Sequence, residues 1–240
     1  MSLVGKTILI TGAAYRIGAG LALHLARAGA DILLHHGHSP EAAENTANEI
    51  RKLGQQAWVL QADLADTDQA TGLIHRAWQI RPFQGLINNA AVFDSLDWQQ
   101  TTADDWQRTM NINLTAPFLL SQQFARYLAG SAGRIVNILD WRALRPGADH
   151  MPYTISKAGL AALTRSLAIA FAPNISVNGL ALGAILPPSS GEDVGKILEH
   201  VPAKRWAEMT EVGHAAEFLL SGPAYITGEI IHIDGGRHLV

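Results

Sequence analysis

Short apolar runs alternate with longer amphipathic segments along most of the chain. The first three apolar runs, "KTILIT", "ADILLHH" and "QAWVLQAD", have the length and the Ile, Leu and Val content of buried strands. The segments between them, "GAGLALHLARAG" and "PEAAENTANEIRKLG", place apolar residues at helical spacing. The pattern therefore predicts a β-α-β-α-β opening.

The same alternation continues to the C-terminus. It predicts helices near residues 67–78, 104–127, 153–171, 192–200 and 211–220, and strands at "GLINNA", "GRIVNIL", "ISVNGLAL" and "EIIHID". Strands joined by helical crossovers form a parallel sheet with helices on both faces. We therefore expect a single α/β domain over residues 1–240, built on a doubly wound parallel sheet. The Pro, Ser and Gly content of Leu186–Gly195 predicts a mobile loop near a site.

Composition and charge narrow the class of ligand. Only 16% of the residues are charged, the formal net charge is -3 and no run of Lys and Arg occurs, so we expect no nucleic-acid partner and a small-molecule ligand. The absence of Cys excludes disulfides and thiol chemistry, so redox chemistry requires a cofactor.

The start "MSLVGKTILITG" does not read as a signal peptide, and no apolar run approaches the ~20 residues of a membrane span. We expect a soluble, cytoplasmic protein.

A glycine-rich turn, "TGAAYRIGAG", follows the first strand. Gly12 and Gly18 fall where the strand gives way to the helix, which lets the helix N-terminus approach a pyrophosphate. Such turns also occur without a ligand, but at the first β-α unit of this pattern the turn favours nucleotide binding.

The second strand ends in "HHGHS". A carboxylate here would bind a ribose 2′-hydroxyl and repel a 2′-phosphate. The uncharged donors His36, His38 and Ser39 favour NADP over NAD, although a merely polar loop is the alternative. A zinc site is disfavoured because the histidines crowd together without further ligands, so we expect no metal.

Three later segments supply further candidates. Asp63 follows the third strand and is placed to accept from an adenine amino group. Asn89 and the small Ala90 follow the fourth strand and allow close approach of a cofactor. Phe93 would face the mouth of the site and stack on a flat ring, unless it is an ordinary core residue.

Tyr153 and Lys157 are four residues apart and share one face of the predicted long helix. A buried ammonium favours phenolate, so we expect Lys157 to lower the Tyr153 pKa and make the tyrosine a general acid-base. Such a pair is often only an exposed helix pair. Its position after Asn113 and Asp140 strengthens the functional interpretation.

The full order of motifs resembles the short-chain dehydrogenase/reductase family, a Rossmann-type fold of about seven strands. The matching segments are "TG" with "IG", "NNAA", "NINLTAPF", "YTISK", "SVNGLALG" and "YITGEIIHIDGG". The resemblance implies that Tyr153 donates the proton, Lys157 binds the nicotinamide ribose and Asn113 holds a relay water. It also implies NADP(H) as cofactor and a homotetramer formed through the helices near 104–127 and 153–171. The residues implied to bind the cofactor are Gly12, Tyr15, Arg16, Ile17, Gly18, His36, His38, Ser39, Asp63, Leu64, Asn89, Ala90, Tyr153 and Lys157.

Two departures from the family pattern are informative. Arg16 stands where the turn usually has a glycine, and Asp140 stands where the catalytic serine is usual. Both changes resemble the pteridine reductase branch, including the bacterial dihydromonapterin reductases, with Arg16, Phe93, Asp140 and Tyr153 implied to bind substrate. Tyr15, Ala91 and Leu182 depart from the pattern common in that branch.

The carboxylate of Asp140 bears directly on the reaction. An ionised carboxylate would repel the charge that develops on a ketone oxygen, whereas reduction of a dihydropterin requires protonation of a ring nitrogen. The resemblance, with which this chemistry agrees, therefore implies an NADPH-dependent reductase of a dihydropteridine. The alternatives are a carbonyl reductase of 3-oxoacyl thioesters or sugars, a non-catalytic NADP-binding sensor, and an Asp140 that only caps a loop.

Overall fold

The computed structural model describes residues 2–187 and 194–240. Seven parallel strands form one sheet in the order β3-β2-β1-β4-β5-β6-β7. The strands are β1 (Thr7–Ile10), β2 (Asp31–His36), β3 (Ala57–Gln61), β4 (Gly85–Asn88), β5 (Gly133–Asp140), β6 (Ile175–Leu182) and β7 (Ile230–Ile233). The predicted doubly wound parallel sheet of seven strands is confirmed.

The helices connect these strands. They are α1 (Arg16–Arg27), α2 (Pro40–Lys52), α3 (Thr67–Ile80), α4 (Ala103–Met110), α5 (Ala116–Leu128), α6 (Met151–Ala170), α7 (Val194–Glu199) and α8 (Met209–Ser221). Short 3₁₀ turns occur at Trp141–Ala143 and Arg237–Leu239.

Two apolar clusters cover the two faces of the sheet. On one face, side chains such as Leu21 of α1, Ile50 of α2 and Val212 of α8 pack against buried strand residues. On the other face, Leu73 of α3 and Phe124 of α5 pack against other buried strand residues. Strands covered on both faces have continuous apolar runs, which is why the strand segments of this chain do not alternate.

The order of the strands creates a crevice beside β1. From β1 the chain adds β2 and β3 on one side of the sheet. It then returns to place β4 on the other side of β1 and adds β5, β6 and β7 beyond it. Open α/β sheets bind ligands outside the carboxyl ends of the strands at such a point. Gly12, Asn89 and Asp140 lie at the carboxyl ends of β1, β4 and β5, so they border one edge of the sheet.

The single helix predicted near 104–127 is interrupted in the structure. A single π-helical turn, Asn111–Thr115, separates α4 from α5. A capping box between Thr102 and Asp105 starts α4. Single π turns inside helices are frequent at functional sites, and this one contains Asn113.

Part of the predicted loop Leu186–Gly195 and the start of the predicted helix 192–200 lie outside the described residues. Within the described ranges, no helix is long and apolar enough to cross a membrane. Over the same ranges, no group of three or more His, Asp or Glu side chains is arranged to hold a metal ion.

Candidate active site

Asp140 and Tyr153 meet through a direct hydrogen bond. Tyr153 Oη donates to Asp140 Oδ2 at 3.0 Å. Asp140 is the last residue of β5, and Tyr153 lies in the first turn of α6. Asp140 Oδ1 also accepts from the backbone N–H of Arg142 at 2.9 Å, which caps the 3₁₀ turn Trp141–Ala143. Asp140 therefore caps the loop and contacts the tyrosine with its two different oxygens.

Burial sets the protonation of this pair. Removal from water raises the pKa of Asp140, although Arg142, Tyr153 and Lys157 each oppose this effect. The pKa of Tyr153 lies well above its usual value because of burial and the neighbouring Asp140. The expectation that Lys157 lowers the Tyr153 pKa was wrong for this structure, since desolvation and the carboxylate dominate. Tyr153 is therefore held as a protonated phenol.

Lys157 lies one helical turn beyond Tyr153. Its side chain is only 2% exposed, and Nζ donates to the carbonyl of Ile138 at 2.7 Å. Burial lowers the pKa of Lys157 to about 8, while Asp140 opposes this effect. Nζ lies 5.7 Å from the centre of the Tyr153 ring. The ammonium thus sits beside the tyrosine without a hydrogen bond to the phenol.

Asn113 is fully buried in the π turn. Its Nδ2 donates to Val92 O and to Ser156 Oγ, both at 3.0 Å, and its Oδ1 accepts from Val92 N at 2.9 Å. The side chain therefore ties the loop after β4 to α6. In the described part of the chain, Asn113 makes no hydrogen bond to Asp140, Tyr153 or Lys157. Its predicted role in a water relay stays a prediction.

The glycine-rich turn is closely packed. Gly12 has φ +63°, and a Cβ at this position would lie 2.9 Å from Ala90 Cα. A Cβ on Gly18 would lie 2.7 Å from Asn89 Nδ2. Asn89 Nδ2 in turn donates to the carbonyls of Thr11 and Gly12 at 2.8 and 3.1 Å. The structure thus brings Gly12, Gly18, Asn89 and Ala90 together, and only glycine fits at the first two positions.

Tyr15 and Arg16 lie at the exposed entrance of this turn. Arg16 begins α1 with φ +53°, and its Nη2 donates to the carbonyl of Pro187 at 3.1 Å. Ile17, the next residue, is partly buried and packs against the core of this face. The Arg16 side chain therefore bridges from the glycine-rich turn to the loop after β6.

His35 is a buried residue, although the sequence grouped it with the uncharged donors at the end of the second strand. Its Nδ1 accepts from the N–H of Gly12 at 3.2 Å, and its Nε2 donates to Ala62 O at 3.0 Å. These partners require the neutral ring with the proton on Nε2. Burial lowers the pKa of His35 to about 4. The side chain joins the glycine-rich turn to the ends of β2 and β3, a contact between distant segments that the local pattern "HHGHS" does not reveal.

The neutral state of His35 predicts an acid-sensitive contribution to stability. Because folding lowers the pKa of His35, the neutral ring stabilises the folded state at pH values above 6.5, the pKa of the unfolded chain. This stabilisation is lost as the pH falls toward about 4. Its size is on the order of 3 kcal/mol, since each pKa unit corresponds to about 1.4 kcal/mol. We expect His35→Gln to lower the free energy of unfolding at pH 7.5, with a smaller difference from the parent at pH 5. Urea unfolding at both values checks this, and a difference independent of pH would contradict it.

The end of β2 presents polar groups of differing exposure. His36 is buried, and its Nδ1 has no partner among the described residues. His38 is exposed, and Ser39 precedes α2 without using its hydroxyl to cap the helix. The Ser39 hydroxyl and the His38 ring are therefore available to a ligand at the start of α2.

Asp63 and Leu64 follow β3 but have different environments. Asp63 Oδ1 accepts from the N–H of Ala65 at 2.9 Å, leaving its second oxygen without a recorded partner. Leu64 is buried in the apolar cluster with Leu60 and Leu73. Only the backbone of Leu64 is suited to polar contact with a ligand.

Phe93 lies beside Tyr153 and is 54% exposed, so it is not an ordinary core residue. Its ring stacks on His150 with centroids 4.2 Å apart and meets Tyr153 edge-on at 4.6 Å. His150 itself has φ +49°, and its Nδ1 donates to Asp94 O at 3.0 Å. One face of Phe93 is therefore occupied by a histidine that sequence reasoning missed.

A cluster of aromatic and cationic residues follows Asp140. The Arg142 guanidinium carbon lies 4.9 Å from the Trp141 ring centre, and that of Arg237 lies 4.3 Å from it. Arg142 Nη2 also donates to Asp149 Oδ2 at 2.7 Å. Arg237 follows β7 and is remote in sequence from Trp141, so no motif predicted this contact.

Comparisons with known proteins agree with this geometry. A family model described as enoyl-(acyl carrier protein) reductase, adh_short_C2, matches residues 12–238. The chain is 34% identical to 3-oxoacyl-(acyl-carrier-protein) reductase FabG of Aggregatibacter actinomycetemcomitans, covering 97% of this chain and 99% of that relative. It is 32% identical to 2-dehydro-3-deoxy-D-gluconate 5-dehydrogenase of Escherichia coli (strain K12), covering 98% and 96%.

A solved structure is similar over a comparable length. The FolM alternative dihydrofolate reductase 1 from Brucella canis, complexed with NADP, is 33% identical with a TM-score of 0.92. The alignment covers 100% of this chain and 97% of that chain. Together with the parallel sheet, the glycine-rich turn and the paired Tyr153 and Lys157, these matches show that the chain belongs to the short-chain dehydrogenase/reductase family of oxidoreductases.

Proposed function

We propose that this protein is an NADPH-dependent reductase of dihydropteridines. The observation that carries the proposal is the hydrogen bond between Tyr153 Oη and Asp140 Oδ2. A serine at the position of Asp140 would donate to a substrate oxygen. A buried carboxyl in contact with a phenol is instead suited to pass a proton to a ring nitrogen.

The residues at the carboxyl edge of the sheet fit a dinucleotide. Gly12 and Gly18 leave no room for a Cβ, so the turn brings backbone close to a pyrophosphate at the N-terminus of α1. The unpartnered His36 Nδ1 and the free hydroxyl of Ser39 suit the polar end of an adenosine ribose. Tyr15, Arg16, Ile17, His38, Asp63, Leu64, Asn89 and Ala90 complete the proposed binding set.

NADPH, when bound, supplies the hydride that reduces the carbon of a C=N bond in the substrate. Tyr153 donates its phenolic proton to the neighbouring ring nitrogen, and a protonated Asp140 then donates to the phenolate across the 3.0 Å contact in which the resting phenol donates to Asp140 Oδ2. The raised pKa of Asp140 keeps the carboxyl protonated to a higher pH than usual. Lys157, held by Ile138 O, supplies positive charge beside the phenolate that forms transiently. One hydride and one proton thus add across the C=N bond.

Phe93 and Arg16 are the proposed substrate contacts at the mouth. Phe93 is 54% exposed beside Tyr153, so the solvent-facing part of its ring is available to stack on a pterin ring. Arg16 reaches over the glycine-rich turn to Pro187 O, so its guanidinium is placed to contact both cofactor and substrate.

A carbonyl reductase is the second candidate. The similarity to a 3-oxoacyl-(acyl-carrier-protein) reductase and to a sugar-acid dehydrogenase favours it. The FolM alternative dihydrofolate reductase shares a similar identity, so similarity alone does not separate the two activities. Asp140 favours the first candidate, because the carboxylate left when Asp140 passes on its proton opposes the charge that develops on a carbonyl oxygen.

The proposal is tested by following NADPH oxidation with a panel of substrates. We expect turnover of 7,8-dihydropterins and dihydrofolate, and at least about 100-fold lower kcat/KM for a 3-oxoacyl thioester and for keto sugar acids, a difference of about 3 kcal/mol. Turnover of the thioester alone would support the second candidate. Cofactor binding without turnover of any substrate would support a non-catalytic sensor.

A charge substitution tests the proposed preference for NADPH. We expect Ser39→Asp to raise the KM for NADPH about tenfold or more, because a carboxylate at this position repels a 2′-phosphate. The same change retains a residue that begins helices well, so α2 remains intact. Ser131→Asp, at an exposed turn before β5, is the matched control. An unchanged KM for NADPH in Ser39→Asp would place the phosphate elsewhere.

We also propose a homotetramer formed through α4, α5 and α6. These helices carry exposed apolar side chains, including Trp106, Phe118 and Ile155, each about 40% exposed. Such groups are typical of surfaces that pack against another subunit.

A further inference from the structure

The C-terminal 3₁₀ turn Arg237–Leu239 packs against the 3₁₀ turn Trp141–Ala143, which directly follows Asp140. The Arg237 guanidinium carbon lies 4.3 Å from the centre of the Trp141 ring. The last residues of the chain thus place a planar cation beside the loop that holds the catalytic carboxyl. Stacking on an indole restricts this cation to few orientations.

Arg237 lacks a polar partner within residues 2–187 and 194–240. Among the described residues its side chain makes no hydrogen bond or ion pair, and its Nε is buried without an acceptor. Arg142, over the same indole, is instead paired with Asp149 Oδ2 at 2.7 Å. A guanidinium has five donors and is costly to bury without acceptors.

Three carboxylates whose charge acts on Arg237, those of Asp140, Asp149 and Asp234, accept from other donors, and Asp149 Oδ2 is paired with Arg142. Asp234 accepts from the N–H of Gly236 and from both the N–H and Nδ1 of His238, all within 2.9 Å. Asp140 accepts from Tyr153 and from the N–H of Arg142. The donors of Arg237 are therefore left for a group that the described part of the chain does not supply.

We propose that Arg237 binds an anionic substituent of the substrate, which makes the preferred substrate a dihydropteridine with an acidic side chain. A carboxylate or a phosphate matches the fork of a guanidinium, and the charged hydrogen bonds strengthen where water is partly excluded. Arg142 adds a second positive charge over the same indole. This inference rests on the proposed reduction of dihydropteridines at Asp140 and Tyr153.

The test compares substrates that differ only in their acidic group. KM is measured for dihydrofolate, for a dihydropterin with a phosphorylated side chain and for a dihydropterin without an anionic group. We expect Arg237→Gln to raise the KM about tenfold or more for the anionic substrate, with kcat and the KM for the neutral substrate within about twofold. Arg237→Lys should recover part of the loss. Whether the carboxylate or the phosphate substrate shows the larger effect identifies the anion.

Arg145→Gln is the control, because Arg145 is an exposed arginine in the same loop. Equal changes for anionic and neutral substrates in Arg237→Gln, or no change for any of them, would overturn the inference. Thermal unfolding of each variant separates a loss of binding from a loss of fold.

A binding measurement tests the proposed anion site at Arg237 without requiring turnover. Calorimetry with p-aminobenzoylglutamate and the full chain should detect binding to the parent and at least about tenfold weaker binding to Arg237→Gln. Equal affinity for both proteins, or none for the parent, would reject the subsite. Binding that depends on Arg237 in a protein that turns over no dihydropterin would keep the subsite and reject the proposed reaction.

Discussion

Tyr153→Phe should lower kcat for dihydropterin reduction by at least about a thousandfold, since the loss of a general acid costs about 10² to 10⁴ in rate. The phenol is buried, protonated and bonded to Asp140 Oδ2, so it is the group placed to deliver a proton. Phenylalanine keeps the ring that meets Phe93 edge-on, so the shape of the site is preserved. NADPH affinity, measured by fluorescence titration, should change by less than about threefold.

Tyr225→Phe is the matched control, because Tyr225 is fully exposed and distant in sequence from the site. We expect its kcat to equal that of the parent. A Tyr153→Phe enzyme with more than about a tenth of the parent kcat would mean that another group supplies the proton.

Asp140→Asn should lower kcat for dihydropterins about 100-fold and, at pH above the raised pKa of Asp140, raise stability. Asparagine still offers an oxygen to the N–H of Arg142, so the 3₁₀ turn stays capped, but it has no acidic proton to pass to Tyr153. The parent should lose activity as pH rises through the raised pKa of Asp140, because the carboxyl then loses its proton. The variant should lack that alkaline decline.

The stability effect has a definite sign. A carboxyl whose pKa is raised by folding contributes stability below its unfolded pKa of 3.8, and this contribution is lost as pH rises through the folded pKa. Above its folded pKa the parent therefore holds an unfavourable buried charge, and there Asp140→Asn should melt at a higher temperature than the parent. Asp66→Asn is the control, since hydrogen bonds from Gln69 and the backbone lower the pKa of the exposed Asp66. It should melt at the same or a lower temperature with unchanged activity. A less stable Asp140→Asn variant would contradict this account.

The fold was predictable because it depends on local pattern. Runs such as "DILLHH" and "ISVNGLAL" are buried on both faces of the sheet, so the apolar signal was continuous and clear. The π turn at Asn111–Thr115 was not predictable, since its residues continue a helical pattern and the extra residue is accommodated only by tertiary packing.

The site residues that lie close together in the sequence were predictable. Asp140, Tyr153 and Lys157 lie in one contiguous stretch, and the structure brings them together. His35 and Arg237 were missed as members of the site because their partners, Gly12 and Trp141, are distant in sequence. The direction of the Tyr153 pKa was wrong because it depends on the depth of burial, which spacing does not report.

The central claim is that the carboxyl of Asp140 transfers a proton in dihydropteridine reduction. The most direct test compares kcat/KM for NADPH oxidation between the parent and Asp140→Ser, with a 7,8-dihydropterin, dihydrofolate and a 3-oxoacyl thioester as substrates. We predict that the parent reduces the dihydropterins and that Asp140→Ser loses this activity about 100-fold, since general acid catalysis supplies at least that factor. A parent that turns over only the thioester, or an Asp140→Ser variant as active on dihydropterins as the parent, would contradict the claim.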